Sequence, residues 1–122
     1  MNNKWTWGGL AIVVLLGLWI WQAGKQPGKL DTFASCLKDK GAVFYGAFWC
    51  PHCVNQKALF GKSAKLLPYV ECSTPDSKGQ FPIFVEKEIK NYPTWIFADN
   101  SVLTGEVELA TLSEKTGCPL PS

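Results

Sequence analysis

The sequence predicts an α/β domain, built as a central mixed sheet flanked by helices, behind an N-terminal transmembrane helix. Three features predict it: a long uncharged N-terminal segment, strand-length apolar runs alternating with helical patterns, and a Cys-x-x-Cys motif at a helix start. The chain has 122 residues, enough for one small domain and an appendage. We predict a membrane anchor over residues 1–24, a linker over 25–31 and the domain over 32–122.

The anchor is predicted from its length and flanks. Nineteen residues from Trp5 to Ala23 carry no charge, and about 20 apolar residues cross a bilayer. Tryptophans lie near both ends, as in interfacial aromatic belts. The alternative is a cleaved signal peptide, but the segment ending at Ala23 lacks the small-residue pattern of a cleavage site. We therefore expect residues 5–23 to stay in the membrane.

The elements of the domain follow in order. A helix is expected from Asp31 or Thr32, either of which can cap it, to Lys40. The apolar run 42–48 predicts a central strand covered on both faces, and it leads into a helix from Pro51 to Leu67. The remaining predicted elements are a strand over 69–72, a loop over 73–79, a short helix over 81–89, a hairpin with strands over 94–97 and 101–104, and a helix over 107–116 ended by Gly117.

The motif Cys50-Pro51-His52-Cys53 (CPHC) contains the chemistry. The first thiol of such a motif lies at the positive end of the helix dipole, which stabilises its thiolate. The second thiol, one turn later, can attack Cys50 in a mixed disulfide and resolve it. His52, the chain's one histidine, adds a hydrogen-bond donor beside Cys50. The motif predicts a reversible dithiol/disulfide couple.

Other roles for the motif are weaker. A zinc site needs four ligands, and the remaining cysteines form no second ligand pair; an inert structural disulfide is the other alternative. We therefore expect neither a metal nor a cofactor. All twelve basic residues are lysines spread along the chain, which argues against nucleic acid as a partner.

Three cysteines lie outside the motif. Cys36, Cys72 and Cys118 allow three different pairings, and at least one thiol has no intramolecular partner. A free Cys118 could instead form an intermolecular bond. The simplest role for each is that of a small buried apolar residue.

The order of elements, with Trp49 before the motif and Tyr92-Pro93-Thr94 about 40 residues after it, resembles the thioredoxin-like proteins. The resemblance implies a cis bond before Pro93, with that proline facing the two cysteines. It assigns client binding to five residues around them. These are Trp49, Pro51, Tyr92, Pro93 and Thr94.

Two further implications of the resemblance concern individual positions. Many of these enzymes have a buried acid six residues before the first cysteine, where this chain has Phe44. The expected arrangement of helices places Cys36 and Cys118 on opposite sides of the sheet, which weakens that pairing.

A longer set of residues, including Tyr69-Val70-Glu71-Cys72-Ser73, resembles the thioredoxin-like domains fused to or paired with bacterial vitamin K epoxide reductase homologues. It implies a disulfide carrier reoxidised by a quinone-coupled membrane partner of that type. Pro51-His52 is also the inner dipeptide of periplasmic DsbA-type oxidants. The Cys50–Cys53 disulfide would then oxidise client thiols, and Cys50, Cys53 and His52 are the predicted catalytic residues.

Lysines on both sides of the span leave its orientation open. Because a dithiol that oxidises clients must face an oxidising space, we expect the domain on the extracytoplasmic side, in a periplasm or thylakoid lumen. One alternative is a reductase or isomerase of the same fold that receives electrons across the membrane. Another is a non-catalytic module that binds a partner near Tyr92 and Trp95.

Overall fold

The computed structural model describes residues 4–23 and 26–122. Helix α1 spans Lys4–Ala23. Within it, Trp5–Gln22 is long and apolar enough to cross a membrane, and none of this segment is buried. The predicted end of the anchor at residue 24 and start of the linker at residue 25 lie outside the described residues. From Gln26 the chain leads to the domain, where the Leu30 amide donates to Ser63 Oγ (3.0 Å).

A four-stranded mixed sheet forms the centre of the domain, in the order β2-β1-β3-β4. Strand β1 pairs parallel with β2 and antiparallel with β3, and β3 pairs antiparallel with β4. This confirms the predicted α/β class, and the sheet is consistent with a thioredoxin-like fold. The strands are β1 (Val43–Gly46), β2 (Tyr69–Glu71), β3 (Thr94–Ile96) and β4 (Val102–Thr104).

Four helices surround the sheet, and several details differ from the predictions. The helix predicted over 81–89 spans only Ile83–Glu86, and the helix predicted over 107–116 begins at Leu109. The helix expected to reach Leu67 ends at Ala58; Gly61 then takes a φ of +53°, which an α-helix does not accommodate, and a 3₁₀ helix spans Gly61–Leu66. The N-cap of α2 is Leu30, without a side-chain cap, so the predicted capping by Asp31 or Thr32 is wrong. The helices are α2 (Asp31–Asp39), α3 (Pro51–Ala58), α4 (Ile83–Glu86) and α5 (Leu109–Thr116).

The two faces of the sheet have separate apolar cores, as alternation along a strand requires. Phe44 of β1 is fully buried and stacks on Trp95, with ring centroids 5.0 Å apart. It belongs to the larger cluster, which includes residues of α2, α3 and α5. The next residue, Tyr45, belongs to a smaller cluster with Cys72 and Ile89, against which α4 packs. The central strand is therefore covered on both faces, as predicted.

Cys36 and Cys118 form a disulfide, with Cα atoms 5.9 Å apart. The expectation that these cysteines lie on opposite sides of the sheet is therefore wrong. Helix α2 lies on the same face of the sheet as α3, since buried residues of both helices belong to the larger cluster. Phe33 of α2 stacks on Phe60, which follows α3, with ring centroids 6.0 Å apart. Cys118 follows the left-handed Gly117 cap of α5, whose Leu112 is buried in the same cluster.

The disulfide ties the first helix of the domain to its last segment. Its cysteines are 82 residues apart, and closing a loop of that length removes about 4 kcal/mol of unfolded-state chain entropy. Cys72 is fully buried with a free thiol, which matches the predicted role of a small apolar residue. Burial, the largest cause, and the nearby Glu71 charge raise its pKa to about 11.

Candidate active site

The CPHC motif lies where β1 passes into α3. Cys50 is the N-cap of α3 in an extended conformation, and Pro51 is the first helical residue, where its missing N–H costs no hydrogen bond. Cys50 and Cys53 are both free thiols. Cys50 is 7% exposed and Cys53 is 1% exposed, so the first thiol is the more accessible of the two.

The carbonyl group that precedes a cis proline faces the first thiol. The Tyr92–Pro93 bond is cis, as the resemblance to the thioredoxin-like proteins implied. Cys50 Sγ lies 3.8 Å from the Tyr92 carbonyl oxygen, to which the thiol donates. Pro93 and Thr94 are buried, and Thr94 Oγ1 donates to the Asn91 carbonyl (2.6 Å), which holds this turn. The structure thus brings together two segments that are about 40 residues apart in sequence.

Cys53 packs against the strand that precedes the motif. A Cβ atom built on Gly46 would lie only 2.9 Å from Cys53 Sγ, so a side chain at this position would overlap the thiol. Burial is the main reason that the pKa of Cys53 is raised to about 12, and its hydrogen bond to Cys50 raises it further. A backbone hydrogen bond with Ala47 and the charge of Lys57 act in the opposite direction. The second thiol therefore stays protonated at neutral pH.

Trp49 forms one wall beside Cys50. Its indole N–H donates to Ser73 Oγ (2.8 Å), and its ring meets Tyr92 edge to face with centroids 5.9 Å apart. Trp49 is 47% exposed, so the ring has a free surface as well as a fixed orientation. Three of the five predicted client-binding residues thus lie together around Cys50: Trp49, Tyr92 and Pro93.

The side chain of His52 contacts Glu106, a residue that the sequence analysis missed. Its Nδ1 lies 2.9 Å from Glu106 Oε2, and both side chains are substantially exposed. The neighbours of Glu106 are fixed, because the Gly105 amide donates to the Pro93 carbonyl (2.8 Å) and the Val107 amide donates to Gln56 (2.7 Å). His52 and Glu106 are 54 positions apart in the sequence, so no local pattern of residues predicts the pair.

Gln56 is a second residue for which the sequence analysis predicted no role. Its side chain is fully buried on α3. Its amide nitrogen donates to the Val107 carbonyl (3.0 Å), and its oxygen accepts from the Val107 amide and the Trp95 indole (3.3 Å). The sequence signal that could have found it is a polar residue at a position that helical spacing assigns to the apolar face of a helix, since a polar side chain buried there needs hydrogen-bond partners. Gln56 joins the CPHC helix to the loop that carries Glu106.

Phe44, an uncharged residue, occupies the position at which many thioredoxin-like enzymes have a buried acid. Phe44 packs between the rings of Trp95 and Tyr69 and gives the Cys53 thiol no proton acceptor. Among residues 4–23 and 26–122, no group of three or more His, Cys, Asp or Glu side chains is placed to hold a metal ion. The groups available for chemistry in the described site are therefore the two thiols and their polar neighbours.

Two thiols at a helix start, one of them against the carbonyl that precedes a cis proline, form a site of the thiol-disulfide oxidoreductase class. No family model matches the chain. The chain is similar to the thiol-disulfide oxidoreductase LTO1 of Arabidopsis thaliana, with 47% identity over 93 residues. The aligned part covers 73% of this chain and 24% of that relative, so the chain spans about a quarter of the relative's length.

The close approach at Gly46 gives a stability prediction. Gly46→Ala should lower the free energy of unfolding of the reduced protein by about 1–3 kcal/mol, because the new methyl group overlaps Cys53 Sγ and the Tyr69 ring. Gly79→Ala is the matched control: its Cβ would be 3.4 Å from Thr74, an ordinary contact, and the change should stay within about 0.5 kcal/mol. Urea unfolding measures the free energy of unfolding of both variants. Equal values for Gly46→Ala and Gly79→Ala would contradict the close contact between Gly46 and Cys53.

Proposed function

We propose that this domain oxidises client cysteines through the Cys50/Cys53 couple, and that it works as a membrane-anchored oxidoreductase outside the cytoplasm. The observation that carries the proposal is the contact of Cys50 Sγ with the Tyr92 carbonyl, beside a buried second thiol. In that arrangement Cys50 is the more accessible of the two cysteines and can meet a client, whereas Cys53 is almost completely covered. The name of the Arabidopsis relative supports the same class of activity.

The cycle begins with the Cys50–Cys53 disulfide. A client thiolate attacks Cys50 Sγ, the S–S bond breaks, and Cys53 leaves as a thiolate that takes up a proton. A second client thiolate then attacks the client sulfur of the mixed disulfide and releases Cys50. The client has lost two electrons and gained a disulfide, and the enzyme holds two reduced cysteines.

The client is expected to lie along the segment before β3. Tyr92 presents its backbone beside Cys50, and the exposed part of Trp49 provides an apolar wall for an extended chain. Pro51 is exposed at the start of α3, whereas Pro93 and Thr94 are buried and shape the turn. We assign Trp49, Pro51 and Tyr92 to client contact, and Pro93 and Thr94 to the conformation of the turn that presents Tyr92.

The oxidising direction rests on what stabilises the reduced form. Cys50 is the N-cap residue of α3 and lies at the positive end of the helix dipole. His52 lies two residues further on, with its Nδ1 2.9 Å from Glu106 Oε2. Interactions that stabilise the reduced, dithiol form make the disulfide a stronger oxidant, and we assign that effect to these two features. A reductase or isomerase is the alternative function, and it requires a dithiol form that is less stable relative to the disulfide form.

Two observations support the proposal that the chain is anchored in a membrane and that its domain lies on the extracytoplasmic side. Helix α1 has the length of a membrane span. The Cys36–Cys118 disulfide is typical of compartments in which thiols are oxidised, and it supports an extracytoplasmic domain. Reoxidation by a membrane protein of the vitamin K epoxide reductase type is proposed from the sequence resemblance, and a quinone-coupled partner of this kind would lie in the same membrane as α1.

The roles of the two thiols can be tested by trapping. Cys53→Ser should accumulate mixed disulfides with client proteins that contain a disulfide, because the Cys50 thiolate can attack and break that disulfide, whereas no Cys53 thiol remains to attack Cys50 and release the client. Cys50→Ser, the matched control, should accumulate none. Non-reducing electrophoresis after acid quenching, followed by mass spectrometry, measures the adducts. Trapping by Cys50→Ser alone would reverse the assignment.

The direction of the couple is decided by its potential. We expect a value above that of thioredoxin, about −270 mV, in a glutathione titration of the full chain in detergent. His52→Ala should make the couple more reducing, since it removes the imidazole to which we assign stabilisation of the reduced form. Glu106→Gln is the companion variant, because it keeps a partner for His52 but removes the negative charge. A wild-type value at or below that of thioredoxin would favour the reductase alternative.

Anchoring is tested by fractionation. We expect the intact chain in the membrane fraction, with its own N-terminus, and a protease added to the extracytoplasmic side should digest the domain. A soluble chain that begins near residue 24 would show cleavage instead. A membrane-bound chain protected from external protease would place the domain on the cytoplasmic side.

A further inference from the structure

We propose that the ammonium group of Lys57, held on the face of the Tyr69 ring, stabilises the thiolate of Cys53 when the resolving thiol reacts. The inference rests on the proposed function, in which Cys53 closes the disulfide. A stabilising charge is needed because the Cys53 thiol is buried, which makes its thiolate costly to form, and because Phe44 offers it no proton acceptor.

Lys57 and Cys53 share one face of α3. They are four residues apart on the helix, the spacing at which side chains are neighbours. The Lys57 side chain is half-buried, and its Nζ lies 3.6 Å from the centroid of the Tyr69 ring. A cation over an aromatic face is attracted by the ring's quadrupole, so Tyr69 restricts where this flexible side chain places its charge.

Tyr69 also borders the thiol. A Cβ atom built on Gly46 would lie 2.9 Å from Cys53 Sγ and 2.9 Å from Tyr69 Cε2. The sulfur and the ring edge therefore face the same small space above Gly46. The cation on the ring and the sulfur beside the ring edge are both located by one aromatic side chain.

A hydrogen-bond network fixes the ring. The Tyr69 hydroxyl donates to Glu71 Oε1 (3.1 Å), and Glu71 Oε2 accepts from the backbone amides of Phe48 and Ser73, each at 3.2 Å. These bonds hold the carboxylate at the end of β2. Tyr69 is thus a positioning residue, and Lys57 is the group that acts on the sulfur.

The charges around Cys53 agree with this arrangement. The titratable groups that face it are Cys50 and Lys57 on α3, Tyr69 on β2 and Tyr92 before β3. Burial raises the pKa of both tyrosines, that of Tyr92 to about 12, so they are neutral at physiological pH. Lys57 is the member of this group whose positive charge favours the Cys53 thiolate.

The step that Lys57 assists is closure of the disulfide. In a mixed disulfide between Cys50 and an oxidant, Cys53 loses its proton to solvent and its thiolate attacks Cys50 Sγ. The Cys50–Cys53 bond forms, the bond to the oxidant breaks, and the released thiolate takes up a proton. Two electrons pass from the enzyme's thiols to the oxidant disulfide. The cation lowers the cost of the buried anion in this step.

Oxidised glutathione is a suitable probe, used with the reduced full chain in detergent. Acid quenching and mass spectrometry follow the glutathione adduct on Cys50 and its conversion to the internal disulfide. In Lys57→Met the closing step should be about threefold slower at each pH between 7 and 9, because a rise of one unit in the pKa of Cys53 makes the thiolate about tenfold scarcer but about threefold more nucleophilic. Formation of the adduct should be unchanged.

Three variants separate charge from structure. Lys57→Arg should restore closing, because it keeps a cation that can lie on the ring. Lys57→Gln should behave as Lys57→Met does. Lys65→Met is the matched control, since it removes an exposed lysine from the neighbouring 3₁₀ helix and should close at the wild-type rate.

Closing by Lys57→Met at the wild-type rate throughout this pH range would overturn the inference, as would a Lys57→Arg variant as slow as Lys57→Met. Failure of the proposed function gives a different result. In that case the wild-type chain itself forms no internal disulfide with oxidised glutathione, whatever residue stands at position 57.

Discussion

Burial of the Cys53 thiol against Gly46 is the constraint on which the rest of the site depends. The contact leaves no room for a side chain at Gly46, so β1 and α3 approach as closely as backbone and sulfur allow. The same closeness removes water from the thiol and raises its pKa to about 12. Protection of the second thiol and the difficulty of ionising it therefore have one physical origin.

The surroundings of Cys53 show how a dithiol site can be arranged without a carboxylate at Phe44. That phenylalanine continues an aromatic stack with Trp95, which adds to the core and leaves the thiol in an apolar environment. The polar groups near the thiol belong instead to Lys57 of α3 and Tyr69 of β2. Glu71 has the charge that Phe44 lacks, but its oxygens are engaged by Tyr69 and by backbone amides.

Long-range contacts hold the helix that contains the motif at both ends. At its start, His52 meets Glu106, and one turn further the buried Gln56 binds both backbone groups of Val107. The segment between β4 and α5 is in this way attached to α3 and, through Gly105, to the turn of Pro93. Cys50 and the Tyr92 carbonyl keep their contact because both of their supports are joined to the same segment.

The sequence by itself determined the elements whose signals are local. The uncharged span of α1, the apolar run of β1, the CPHC helix start and the proline before β3 could all be predicted, because side-chain periodicity and backbone chemistry act over a few residues. The tertiary structure decided what depends on which faces meet. Packing of α2 and α5 into one apolar cluster brought Cys36 to Cys118, and α3 ended early, before the left-handed Gly61. His52 paired with Glu106, which is 54 positions away in the sequence. Such pairings result from the packing of the whole domain, and no short stretch of residues contains the information that specifies them.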